Sequence, residues 1–146
     1  MNRQRQVRQG WDERGSASIE AVIAGPAVVL LILLVIFGGR VALAHQSVQG
    51  IAADTARAAS LARTQTEARS SANTVAQAGL AQQLPCASHT VDLDLTGFTR
   101  PAGTPASVTA TVTCRVATGD LGLPGLPDLT IAATMTSPAD TWRERR

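Results

Sequence analysis

The 146 residues carry a formal charge of +2, and although 45% of them are hydrophobic, only 3% are aromatic. Two Trp, two Phe and no Tyr leave out the rings that usually dominate a compact enzyme core; the apolar content lies in 25 Ala and one dense aliphatic run. Every basic residue is Arg, scattered from Arg3 to Arg146 without a stripe or interleaved aromatics, which argues against nucleic acid as a partner.

Residues 1–15 form a basic leader with Arg3, Arg5, Arg8 and Arg14 against Asp12 and Glu13. Arg14-Gly15-Ser16-Ala17-Ser18-Ile19-Glu20 follows. A glycine with a glutamate five positions later, at the start of an apolar helix, resembles the type IV prepilin cleavage motif. Cutting between Gly15 and Ser16 would make Glu20 the fifth residue of the mature chain. A small residue before the scissile bond lets a membrane protease approach the backbone. A carboxylate at membrane depth costs about 2.5–3.5 kcal/mol and asks for a partner, which a freed α-ammonium at Ser16 would supply. Placed at the headgroup level instead, Glu20 costs little.

The run AVIAGPAVVLLILLVIFGG, residues 21–39, holds 19 residues without a charge. As a helix it covers about 28 Å, close to the hydrocarbon thickness of a bilayer. Residues 16–42 are therefore expected to be one transmembrane helix, with Pro26 removing a backbone hydrogen bond inside it. The Arg bias places the N-terminus in the cytoplasm and the rest outside. Ala42 and Ala44 imitate a signal-peptidase site, but the apolar run exceeds a signal core and flows into further helix.

From residue 43 to 84 the pattern predicts a helical stalk. Its apolar seam is Val41, Ala44, Val48, Ile51, Thr55, Ala58 and Ala62, and so poor a seam needs a neighbour, either another subunit or the chain's own C-terminal part. Pro85 ends the helix, and residues 85–140 switch to a period of two. Val91, Leu93 and Leu95 alternate with polar residues, as do Val108 to Val116 and, more loosely, Leu129 to Thr136. A small three-stranded antiparallel head is expected, with a turn at Arg100–Pro105, a loop at Gly119–Asp128 and a basic tail at 141–146. The fold class is thus α+β and membrane-anchored.

Cys86 and Cys114 are the only cysteines. Zinc wants four ligands and His45 and His89 complete no recognisable spacing, while a Cys/His nucleophile pair has no local motif. In a head outside the membrane a structural disulfide is the better reading, worth roughly 3–4 kcal/mol in the chain-entropy model. No cofactor, metal or catalytic residue is expected.

The motif around Gly15 and Glu20, Pro26 in the apolar run, and the Ala/Arg-rich stretch Gln49–Ala59 together resemble the TadE-like family, pilin-like proteins of tight-adherence (Tad/Flp) pilus systems. Cys86, Cys114 and Ser137-Pro138-Ala139-Asp140 look like versions found in high-GC Gram-positive bacteria. Tad pilins commonly carry an aromatic after the motif glutamate, where this chain has Ala21. The resemblance implies a pilin-like fold and a non-enzymatic minor pilin or assembly component. Its partners would be the lipid bilayer, pilin and pilus-assembly membrane proteins, and a prepilin peptidase where the leader is cut. Gly15 and Ser16 would serve processing, Glu20 and Pro26 assembly. The alternative is a single-pass anchored surface protein unrelated to pili. A small secreted hydrolase would need a G-x-S-x-G, an H-E-x-x-H or a carboxylate pair, none of which the sequence has.

Overall fold

The computed structural model describes residues 13–120, 125 and 127–140, with side chains from residue 22 onward. Residues 1–12 of the leader, residues 121–124 and 126 of the Gly119–Asp128 loop and the 141–146 tail lie outside the described residues. The elements are α1 (Glu13–Leu61), α2 (Gln65–Gln83), β1 (Cys86–Asp94), a short 3₁₀ helix (Thr96–Thr99), β2 (Ala106–Val116) and β3 (Leu129–Ala139). The chain divides into two units, residues 1–36 and 37–146.

In the second unit, β1, β2 and β3 form an antiparallel meander in the order β1-β2-β3. Alternation puts Val108, Ala110, Val112, Cys114 and Val116 of β2 on one buried face. Ile131 and Ala133 of β3 join them there. The other face is wet: Thr109 pairs with Thr136 and Thr111 with Thr134, their hydroxyls 3.0 and 2.9 Å apart. β1 begins earlier than its alternation announces, because an irregularity between Cys86 and Ser88 sets two β1 residues against one of β2.

The expected unbroken helix over 43–84 is interrupted. α1 stops at Leu61 and α2 starts at Gln65, so the chain doubles back. The stop is written in Thr64-Gln-Thr-Glu67: the Thr64 hydroxyl accepts the Glu67 N–H at 3.1 Å, and the Glu67 carboxylate accepts the Arg63 N–H at 3.0 Å. This is a capping box, displaced by one residue on its return bond. Without it, the Ala-rich stretch from residue 51 to 78 has no Pro or Gly to break it.

The neighbour the seam requires is the chain's own C-terminal part. Ala44, Val48, Ile51 and Ala52 of α1 cluster with Ala76 and Leu80 of α2 and with Val112, Val116 and Ile131 of the sheet. A second cluster joins Ala59, Ala68 and Ala72 to Leu95, Phe98 and Val108. The buried strip of α1 is wider than its seam: Ala52, Ala56 and Ala59 are buried, while Ala58 and Ala62 are only half-buried. One helix face meeting both a helix and a sheet needs that width. The wholly buried Val48, Val108, Val112, Val116 and Ile131 each contribute about 1.5–3 kcal/mol of transfer free energy.

Candidate membrane and assembly segment

Among the described residues, none covers α1 from Val22 to Ile36. From Val22 to Ile36 its large aliphatic side chains are between 44% and 74% exposed. It is the one helix among the described residues long and apolar enough to cross a membrane, and no part of its apolar window is buried. Backbone hydrogen bonding is internal to the helix, the condition a lipid environment imposes. Pro26 sits within it, exposed, and its missing N–H leaves the Val22 carbonyl without its helical donor. No atom lies within 4 Å of a Cβ placed at Gly25, Gly38 or Gly39, so these glycines admit close approach by another helix.

Gly15, Ser16 and Glu20 lie in the first two turns of α1 by backbone, ahead of the described side chains. The 15–16 peptide bond is in the first turn, where the N–H groups have no intrahelical acceptors. Pro26 lies further along the same helix; these four positions share one element.

Cys86 and Cys114 are joined in a disulfide with a Cα–Cα distance of 5.6 Å. Their geometry follows from the register. Cys86 stands opposite Val116, two residues along β2 from Cys114, and the irregularity after Cys86 turns its side chain to the inner face. Cys114 is wholly buried. The bond ties an edge strand to the central one over the main cluster.

Among the described residues no three His, Cys, Asp or Glu side chains converge as metal ligands. His45 on α1 and His89 on β1 are both exposed. Arg115 and Asp128 form an ion pair at 3.1 Å on the wet face, a contact worth little in water. Asp94 accepts the Thr96 N–H at 2.9 Å, and this bond, with the Thr96 hydroxyl, holds its carboxyl below the usual range.

No curated protein and no solved structure matches the chain. A family match exists: residues 15–57 fit the family described as TadE-like protein. The matched stretch opens on Gly15, takes in Glu20, Pro26 and the exposed aliphatic helix, and ends within the buried strip of α1. Over residues 15–57 the chain is similar to the TadE-like family.

Proposed function

We propose that this chain is a non-enzymatic component of a Tad/Flp-type pilus, a minor pilin or assembly factor held in the membrane by α1. The TadE-like match points to a Tad pilus-associated component. The observation that carries the reading is the uncovered aliphatic helix from Val22 to Ile36 within that match. Its exposed surface is too apolar for water and is suited to lipid and to the helices of other membrane subunits.

Residues 1–15 are the cytoplasmic leader, 16–42 the span, and the rest is extracytoplasmic. The Arg bias supports this direction, and so does a disulfide in the head, since such bonds persist in oxidising compartments. A prepilin peptidase cuts at Gly15–Ser16. Glu20 then meets an ammonium of its own or a neighbouring subunit, and that pairing sets the register between subunits. Pro26 supplies a local irregularity for helix packing.

Glu20→Leu tests the reading. The segment becomes more apolar, so insertion should persist, while co-purification with pilus-assembly membrane proteins should be lost at matched membrane levels. Undiminished co-purification would leave Glu20 a headgroup-level residue and make the chain an anchored surface protein unrelated to pili.

A further inference from the structure

Cys86, its bonded partner Cys114 and His89 stand on one face of the β1–β2 ribbon, and the phase of the ladder says how closely. Pro138 of β3 has no N–H and stands opposite Ser107, so that pair and every second one after it along β2 exchange no backbone hydrogen bonds. The hydroxyl contacts of Thr109 with Thr136 and of Thr111 with Thr134 fall on the same phase, where side chains come closest. Cys114 is on the other phase and turns its backbone groups to β3. Its partner on β1 is His89, in a non-hydrogen-bonded pair whose Cβ atoms stand about 4.5–5.5 Å apart.

The two sulfurs differ in access. Cys114 is wholly buried, in a cluster with Val112, Val116 and Ile131. Cys86 is half-buried on an edge strand and lines, with His89, an open hollow of about 150 Å³ against Gln77, Leu80, Ala81 and Leu84. A reagent reaching the folded head therefore meets Cys86 first. Reduced Cys114 would stand in apolar surroundings that oppose its ionisation, yet the thiolate is the nucleophile, so it needs a proton acceptor at hand. His89 is directly opposite by register, and being exposed it can pass the proton on to water. Neither α1 nor α2 brings a charged residue to the hollow, and Asp92 and Arg115 belong to the wet face of the sheet.

We propose that Cys86 is the entry point for thiol–disulfide exchange with an external disulfide, and that His89 is the proton acceptor through which Cys114 closes the bond. The Cys86 thiolate attacks the external disulfide, forming a mixed disulfide and expelling one thiolate. Cys114 gives its proton to His89 and attacks Cys86 Sγ; the Cys86–Cys114 bond forms as the mixed disulfide breaks. The second thiolate leaves with the proton from the His89 imidazolium. Two protein thiols are thereby oxidised, and one external disulfide becomes two thiols. This chemistry belongs to the head alone and is independent of the pilus reading.

The test uses the full chain in detergent, with glutathione as the probe and peptide mass spectrometry as the readout. In the oxidised parent, treated with reduced glutathione and quenched by alkylation, glutathione should be found on Cys86 and the alkyl group on Cys114. Glutathione on Cys114 at comparable yield overturns the entry point. For the proton acceptor, the chain is reduced with dithiothreitol and transferred to glutathione disulfide. His89→Gln should slow closing of the mixed disulfide at neutral pH roughly a hundredfold, the low end of general-base catalysis. The parent's closing rate should carry an inflection where imidazole ionises, and the variant's should lack it and climb steadily with alkali. His89 is exposed, so the oxidised variant should melt with the parent by circular dichroism. An unchanged pH profile in His89→Gln, whatever its rate, overturns the proton acceptor.

Discussion

A Cβ placed at Gly79 of α2 would stand 2.9 Å from Cγ1 of Ile51 on α1. Ile51 is buried and β-branched, with one favoured rotamer in a helix, so it cannot swing aside. Gly79→Ala gains about 1 kcal/mol of helix propensity and loses about 1–3 kcal/mol to overpacking, for a net destabilisation of about 1 kcal/mol. At Gly97 a Cβ would run into the backbone carbonyl of Ser107, with no helical gain in return. Gly97→Ala should cost about 3 kcal/mol. Gly50→Ala is the contrast: exposed, in α1, with nothing within 4 Å, it should stabilise by about 0.5–1 kcal/mol. Thermal unfolding in one detergent should place Gly50→Ala above the parent chain, Gly79→Ala below it and Gly97→Ala lowest.

Removal of the Cys86–Cys114 bond should be felt as lost stability without lost fold. The loop it closes spans a sequence separation of 28, for which the chain-entropy model gives roughly 3–4 kcal/mol. Cys86→Ala with Cys114→Ala should melt lower than the parent, and reductant should lower the parent's melting but not the variant's. Equal melting with and without reductant in the parent would mean the bond constrains nothing.

Thr64→Ala removes the hydroxyl that receives the Glu67 N–H and should cost about 1 kcal/mol. Thr64→Ser should restore most of that loss. The comparison separates the cap from any effect of side-chain volume.

Asp94 gives the head an acid-sensitive contact. Its folded carboxyl titrates below its unfolded value because the ionised form accepts from Thr96. The contribution is therefore full above the unfolded value and fades as pH falls through the folded one. In Asp94→Asn the acid limb of a stability-against-pH curve should be shallower than in the parent, with the two differing least at the lowest pH. A parallel pair of curves would mean that Asp94 is not the group responsible.

Processing at Gly15–Ser16 is tested by mass spectrometry of the chain from its native membrane. Ser16 should be its first residue, and Gly15→Leu should block the cut by adding bulk at the scissile bond. A parent chain found only with residues 1–15 attached would remove the peptidase from the account.

Much of the architecture was legible in the sequence because period and punctuation agree. The uncharged run over 21–39 announced the apolar helix, Pro85 the change of period, and Val108 to Val116 the central strand. The Cys86–Cys114 pairing followed from there being no rival chemistry for either thiol. What escaped were features decided by few or distant residues. The break after Leu61 rests on the Thr64–Glu67 cap inside otherwise helix-favouring composition, so propensity outweighed it in the reading. The first part of β1 hid because Ala87, Ser88, His89 and Thr90 alternate with nothing across an irregular register. The 3₁₀ turn at Thr96–Thr99 depends on Gly97 fitting against Ser107, a contact no local pattern records. The seam's partner was open for the same reason: Ala44 and Val48 declare that they need cover, and only the folded sheet says what provides it.

α1 is a single helix from Glu13 to Leu61, and its later turns are core to the head. Within residues 37–146 the turns from Ala44 to Ser60 are packed against both the sheet and α2. To pull the helix free, the contacts from Ala44 to Ser60 must slide off the sheet and α2 together, in shear, instead of peeling one at a time. The Ser60 hydroxyl, 3.0 Å from that of Ser137 on β3, is the last lateral tie on that path.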